Sequence, residues 1–134
     1  MRALVQRVTT ARVRVGAHTV GAIGPGLVVL LGVREGDTTA EADWLADKLP
    51  HLRVFAGETG RFERSVVDVG GALLVISQFT LYADCRRGRR PSFSEAADPG
   101  PAESLVEEFR QALECMGVPT AAGRFGAHRV VSLV

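Results

Sequence analysis

Residues 70–80, GGALLVISQFT, decide how this chain folds. Gly70 and Gly71 mark a turn, and Ala72 to Ile76 then run apolar without a polar interruption. The run has the length of a strand and reads as one that is buried on both faces. It ends in a small polar cluster, Ser77, Gln78 and Thr80, and four arginines, Arg86, Arg87, Arg89 and Arg90, follow shortly after. A second run, LVVLLGV (27–33), is apolar on both faces and reads as a central strand.

Outward from these two runs the first third is β-structure. ALVQRV (3–8), ARVRV (11–15) and TVGAI (19–23) are rich in β-branched residues, with turns at Gly16 and at Gly24-Pro25-Gly26. A helix is predicted from Thr38, where Thr38 and Glu41 fit a capping box. Ala42, Leu45, Leu49 and Leu52 share its apolar face, and Pro50 kinks or ends it. LRVF (52–55) is predicted as a short strand and AGETGR (56–61) as a turn. A second helix opens at Gly100-Pro101, carries a stripe of Ala102, Leu105, Val106, Phe109, Leu113 and Met116, and stops at Gly117. RVVSLV (129–134) closes the chain as a strand, and residues 83–100 form a long loop. The expectation is one α+β domain over residues 1–134. Its sheets, mostly antiparallel or mixed, lie in a barrel-like arrangement with two main helices.

Composition narrows the function. The chain is 46% hydrophobic with a mean hydropathy of +0.13, which argues against disorder and for some apolar surface covered in an oligomer. No apolar run approaches the ~20 residues of a membrane-spanning helix. MRALVQRVTT lacks the apolar block of a signal peptide, so a soluble, cytoplasmic protein with no membrane partner is expected. Cys85 and Cys115 form no metal-ligand spacing, and His18, His51 and His128 are scattered; no metal and no cofactor are expected. Of sixteen basic residues only Lys48 is a lysine, and the net charge of +1 hides a basic cluster at 86–90 and an acidic stretch at 95–114. Such sorting suits a polyanion, although a run of arginines in a loop is more often solvated surface than a binding site.

No GxSxG elbow and no Walker loop are present, and GAIGPG (21–26) lies between strands as a turn. Thr80 is a weak nucleophile that needs a base, and neither Ser77 nor Gln78 is one. The cluster is therefore either a strand end satisfying local backbone groups or a pocket whose amides around Phe79 and Thr80 polarise a carbonyl. Arg7, between Val5 and Val8, reads as an edge-strand cation or a ligand contact. Phe125, in AAGRFGAH, reads as core or as a platform for a base. Trp44 and Tyr82 read as packing residues.

LVQRVTTARVRV, IGPGLVVLLGV, SQFTLYAD, RRPSFSEAA and GRFGAH stand in an order and spacing that resemble the D-aminoacyl-tRNA deacylases. The resemblance implies a homodimer that hydrolyses the ester between a D-amino acid, or wrongly attached glycine, and the terminal adenosine of a tRNA. It implies that Ser77, Gln78, Phe79 and Thr80 line the aminoacyl pocket and that Arg7 and Phe125 lie near the adenosine. Thr80 then acts either as nucleophile or beside the participating ribose 2′-hydroxyl. Arg86, Arg87, Arg89 and Arg90 are expected, on charge alone, to contact tRNA phosphates. Two departures stand out. His128 and Arg129 replace an Asp-Met pair, and the 134 residues end before the family's second signature, Asn-x-Gly-Pro-x-Thr. A domain without that signature is expected to discriminate D from L poorly; the alternative reading is a tRNA-binding module with impaired catalysis.

Overall fold

The computed structural model describes residues 1–134. In chain order the elements are β1 (Arg2–Val8), β2 (Ala11–Val15), β3 (His18–Ile23), β4 (Gly26–Gly32), α1 (Thr39–Lys48), β5 (Phe55–Ala56), β6 (Phe62–Arg64), β7 (Ala72–Ser77), α2 (Pro99–Cys115), β8 (Thr120–Ala122) and β9 (Val130–Leu133). One four-stranded sheet runs β1-β4-β7-β8, a three-stranded sheet runs β3-β2-β9, and β5 pairs with β6. β4 pairs antiparallel with β1 but parallel with β7, and β7 pairs parallel with β8. The α+β class holds. The sheets do not close into the expected barrel, because each of the two larger ones ends in two separate edge strands.

The two apolar runs occupy the centre of the larger sheet, and their period-2 alternation divides the core. Leu27, Val29, Leu31, Leu73 and Val75 face α1 and α2, where they pack with Phe109 and Leu113. Val28, Leu74 and Ile76 face the opposite way, onto Val8, Ala11, Val13 and Ile23. The result is three layers, helices over the four-stranded sheet over the three-stranded one. That is why neither run shows a polar side. Gly26 begins β4 so close to its neighbour that a Cβ there would lie 1.9 Å from the Ala72 carbonyl oxygen.

The capping box forms as the sequence implies. Ala40 donates its N–H to the Thr38 hydroxyl at 3.3 Å, and Thr38 donates its own to Glu41 at 2.6 Å. The Thr38 N–H, joined by the Thr38 hydroxyl donating at 2.8 Å, holds the Glu41 carboxyl below its ordinary value. Four expectations fail locally. The helix ends at Lys48 and a 3-10 turn over Leu49–His51 takes up Pro50, leaving Leu52 extended and outside the helical face. The strand expected at 52–55 begins only at Phe55. Trp44 is 62% exposed, with the Lys48 ammonium over its ring, because α1 presents its alanines, Ala42 and Ala46, to the core. Met116 is likewise exposed at the end of α2, whereas Tyr82 is buried.

Candidate active site

β7 leaves the sheet at Ser77. The next amide, Gln78 N–H, still bonds the Leu31 carbonyl of β4 at 2.8 Å, and the chain then bends into a one-turn 3-10 helix, Phe79–Tyr82. Thr80 therefore lies on this turn and not at the strand's end. Tyr82 anchors the turn: its ring is buried, and the Arg2 guanidinium stacks 4.5 Å above it while donating to the Leu81 carbonyl at 2.8 Å. Burial pushes the Tyr82 hydroxyl up, so it stays neutral. The first bond within the turn is Leu81 N–H to the Gln78 carbonyl. The Phe79 and Thr80 amides precede it, and the geometry of a helical N-terminus leaves such groups without an acceptor inside the turn.

The long loop after Tyr82 folds back as a hairpin. Asp84 and Ser92 exchange both backbone bonds, at 2.7 and 2.9 Å. This returns Phe93 to the turn, where its ring meets that of Phe79 edge-on at 5.1 Å. Farther along, Glu35 N–H reaches the Glu95 carbonyl and Ala97 N–H the Val33 carbonyl, each at 3.0 Å, so the loop is laced to the exit of β4. Between turn, loop and the start of α2 lies a cavity of about 470 Å³, closed on its other side by Phe125–Ala127 and Arg129.

Ser77, Gln78, Phe79 and Phe125 all line this cavity. Thr80 is not part of the lining; its hydroxyl is exposed and accepts a hydrogen bond from the side-chain amide of Gln78. Phe125 also borders a second hollow of about 500 Å³, whose wall includes Glu103, Glu107 and Arg110. Within the chain Arg7 is elsewhere. It donates to the Val54 carbonyl and stacks 5.2 Å from the Phe62 ring.

The four loop arginines are not equivalent. Asp84 grips Arg86 through Nε at 2.9 Å and Nη2 at 2.7 Å, which lowers the Asp84 carboxyl to about 2. Arg87, Arg89 and Arg90 have no such partner and are exposed. Arg129 and Phe93 enter the cavity without having been singled out as ligands. The departure His128–Arg129 and the RRPSF segment were their only signals in the sequence.

The family model for D-Tyr-tRNA(Tyr) deacylase matches residues 4–134. A D-aminoacyl-tRNA deacylase of Thermomicrobium roseum is 55% identical over all 134 residues, which span 87% of that relative. One of a Roseiflexus species is 59% identical, with 86% of its length spanned. Among solved structures, a c-Myc DNA unwinding element binding protein superposes with a TM-score of 0.92 at 37% identity, over 99% of this chain and 91% of that one. A probable eukaryotic D-amino acid tRNA deacylase superposes at 0.82 with 13% identity, over 98% and 92%, and so shares the fold. The chain belongs to the D-Tyr-tRNA(Tyr) deacylase family.

Proposed function

We propose that the protein hydrolyses the ester of D-aminoacyl-tRNA, releasing D-amino acid and tRNA in a proofreading step of translation. The family match over nearly the whole chain carries this reading, since the relatives bear the name of an enzyme. For the same reason the reading as a binding module without catalysis is not favoured. Misattached glycine belongs to the same substrate class, as an ester without a side chain.

The aminoacyl group enters the cavity beside Ser77, Gln78 and Phe79. The Phe79 and Thr80 amides polarise its carbonyl, with water or the neighbouring ribose 2′-hydroxyl attacking. Donors aimed at developing negative charge are the largest single aid to such acyl transfer, and they need no protein base. The geometry supports this division of labour, because the only partner of the Thr80 hydroxyl is an amide. Phe125, between two hollows, is suited to stack on the terminal adenine. Arg87, Arg89 and Arg90 meet phosphates. A homodimer is supported by the edge strand β9, where Val130, Leu133 and the adjoining Val134 are exposed apolar residues. A second copy would be the source of any contact between Arg7 and substrate.

Single-turnover hydrolysis of D-Tyr-tRNA tests the reading. Loss of the ester well above the rate in buffer is expected; a protein that leaves the ester intact or shields it is a binder, and the proposal fails.

A further inference from the structure

Another hollow, of about 640 Å³, begins at Ala83, where the 3-10 turn ends. Its walls are mainly charged: Arg2, Arg34 and Arg86 stand against Asp84 and Glu95, so the lining carries one positive charge in excess. The pairing within this set is uneven. Asp84 holds Arg86 through two hydrogen bonds from the guanidinium. Arg34 meets Glu95 by a single contact of 3.4 Å, and both side chains are exposed to solvent. Arg2 takes part in no ion pair. It is fixed all the same, by its bond to the Leu81 carbonyl and by its stacking on Tyr82. A guanidinium has about five N–H donors. Arg2 and Arg34 each spend one of them on a protein acceptor.

The hollow adjoins the aminoacyl cavity across two stretches of backbone. Phe79 opens the turn and faces the cavity, while Leu81 in the same turn is held by Arg2; Glu95 lines the hollow, and the next residue, Ala96, lines the cavity. Backbone groups fix this partition without help from the arginine side chains. Arg34 N–H donates to the Asp37 carboxylate at 2.7 Å, Arg34 bridges to Ala96, and Glu35 N–H reaches the Glu95 carbonyl. A guanidinium fork matches the oxygens of a phosphate. One excess charge suits a phosphodiester, which is a monoanion, better than a terminal phosphate carrying about −1.5 to −2. An RNA strand whose 3′ end enters the cavity has such diesters beside its terminal nucleoside. We infer that Arg2 and Arg34 form a subsite for a backbone phosphodiester of the nucleotides next to the terminal adenosine; this rests on the reading of the adjoining cavity as the aminoacyl pocket. The subsite is separate from the hairpin tip that carries Arg87, Arg89 and Arg90. Glu95 opposes it by occupying Arg34, and because both arginines are exposed, salt screens the attraction.

The test uses the trinucleotide CCA carrying D-tyrosine on an uncleavable 3′-amide, with each internucleotide linkage in turn replaced by a neutral methylphosphonate. Binding is measured by calorimetry at several salt concentrations. At one linkage, neutralisation should weaken binding to the wild-type chain about tenfold and flatten the slope of log affinity against log salt by about 0.7. Arg34→Gln, which leaves the backbone bonds of the partition in place, should lower that ratio, and Arg2→Gln with Arg34→Gln should bring it to about one. Glu95→Gln should raise it by freeing Arg34. A wild-type ratio near one at every linkage, a ratio that survives the double variant, or no binding of any trinucleotide overturns the inference. So does displacement of the charged probe by inorganic phosphate when the linkage ratio is one, which marks a site for the free anion. A merely structural role for Arg2 and Arg34 lowers stability and weakens charged and neutral probes alike without moving their ratio, and it too overturns the inference. Hydrolysis of D-Tyr-tRNA, run in parallel, separates the two readings. An intact ester with the linkage pattern present sinks the deacylase reading alone, and cleavage with a flat ratio sinks the subsite alone.

Discussion

Replacing Thr80 by its α-hydroxy acid removes one backbone N–H and keeps the side chain, and it separates the two roles open to this residue. Inside the 3-10 turn the Thr80 amide has no acceptor, because the turn's first bond runs from Leu81 to Gln78. Stability should therefore change little. If the amide polarises the ester carbonyl, its loss should lower kcat by roughly 10²–10³, or about 2.7–4 kcal/mol of transition-state stabilisation. Thr80→Ala is the complement. It deletes an exposed hydroxyl whose single partner is the Gln78 amide, a neutral bond worth about 0.5–1.5 kcal/mol at most. Turnover should stay within about tenfold of wild type.

The assay is single-turnover deacylation of D-Tyr-tRNA, with thermal unfolding run on each variant. A nucleophilic threonine gives the opposite pattern, a loss on the order of 10⁴-fold or more for Thr80→Ala. That result in a folded variant, together with full activity for the backbone ester, refutes the amide mechanism.

Three further outcomes follow from the same geometry. Replacing Arg87, Arg89 and Arg90 with alanine should weaken binding of all tRNAs and flatten the plot of log affinity against log salt by about 0.7–0.9 per lost phosphate contact. Arg86→Ala should flatten it less, because Asp84 already neutralises that arginine; an unchanged slope in the triple variant removes the loop from tRNA binding. The Asp84 carboxyl is held at about 2, below its ordinary 3.8, chiefly by hydrogen bonds from Arg86, so the pair's contribution is complete above pH 3.8 and is lost as pH falls through about 2. An NMR titration that finds Asp84 at its ordinary value contradicts the pairing. Phe109→Ala, at a fully buried position of α2, should cost about 3–5 kcal/mol in urea unfolding, and a cost below 1.5 would mean the helix layer is not packed as described.

What the sequence made legible was local. The capping box of Thr38 and Glu41 spans three residues, and the strands at 27–33 and 72–77 declare themselves by an unbroken apolar run. Trp44 misled because a large ring suggests core. Here the helix–helix contact is built on Ala42 and Ala46, and a bulky residue has its place on the far side. β8, the tripeptide Thr120–Ala122, lacks the length and branching of a strand signal and exists because β7 offers it a parallel edge. The 3-10 turn was hidden for a related reason. Phe79, Leu81 and Tyr82 prolong the apolar pattern past Ser77, and periodicity alone does not show where the backbone leaves the sheet.

The cavity was out of reach for a different reason: its walls are joined by bonds between residues far apart in the chain. Phe93 meets Phe79 only because Asp84 and Ser92 zip the base of the arginine hairpin, and Arg129 meets Ser77 across 52 residues. The two halves of the segment from Ser77 to Phe93 thus belong to one device. Its polar cluster and its first aromatic ring bound the cavity, its second aromatic ring returns to them, and the exposed arginines are carried on the hairpin tip between. An acyl group held at Phe79 and a phosphate held at Arg89 would then be fixed relative to each other by the Asp84–Ser92 bridge. Lengthening the tip should therefore loosen tRNA affinity while leaving the binding of a short aminoacyl-adenosine analogue unchanged.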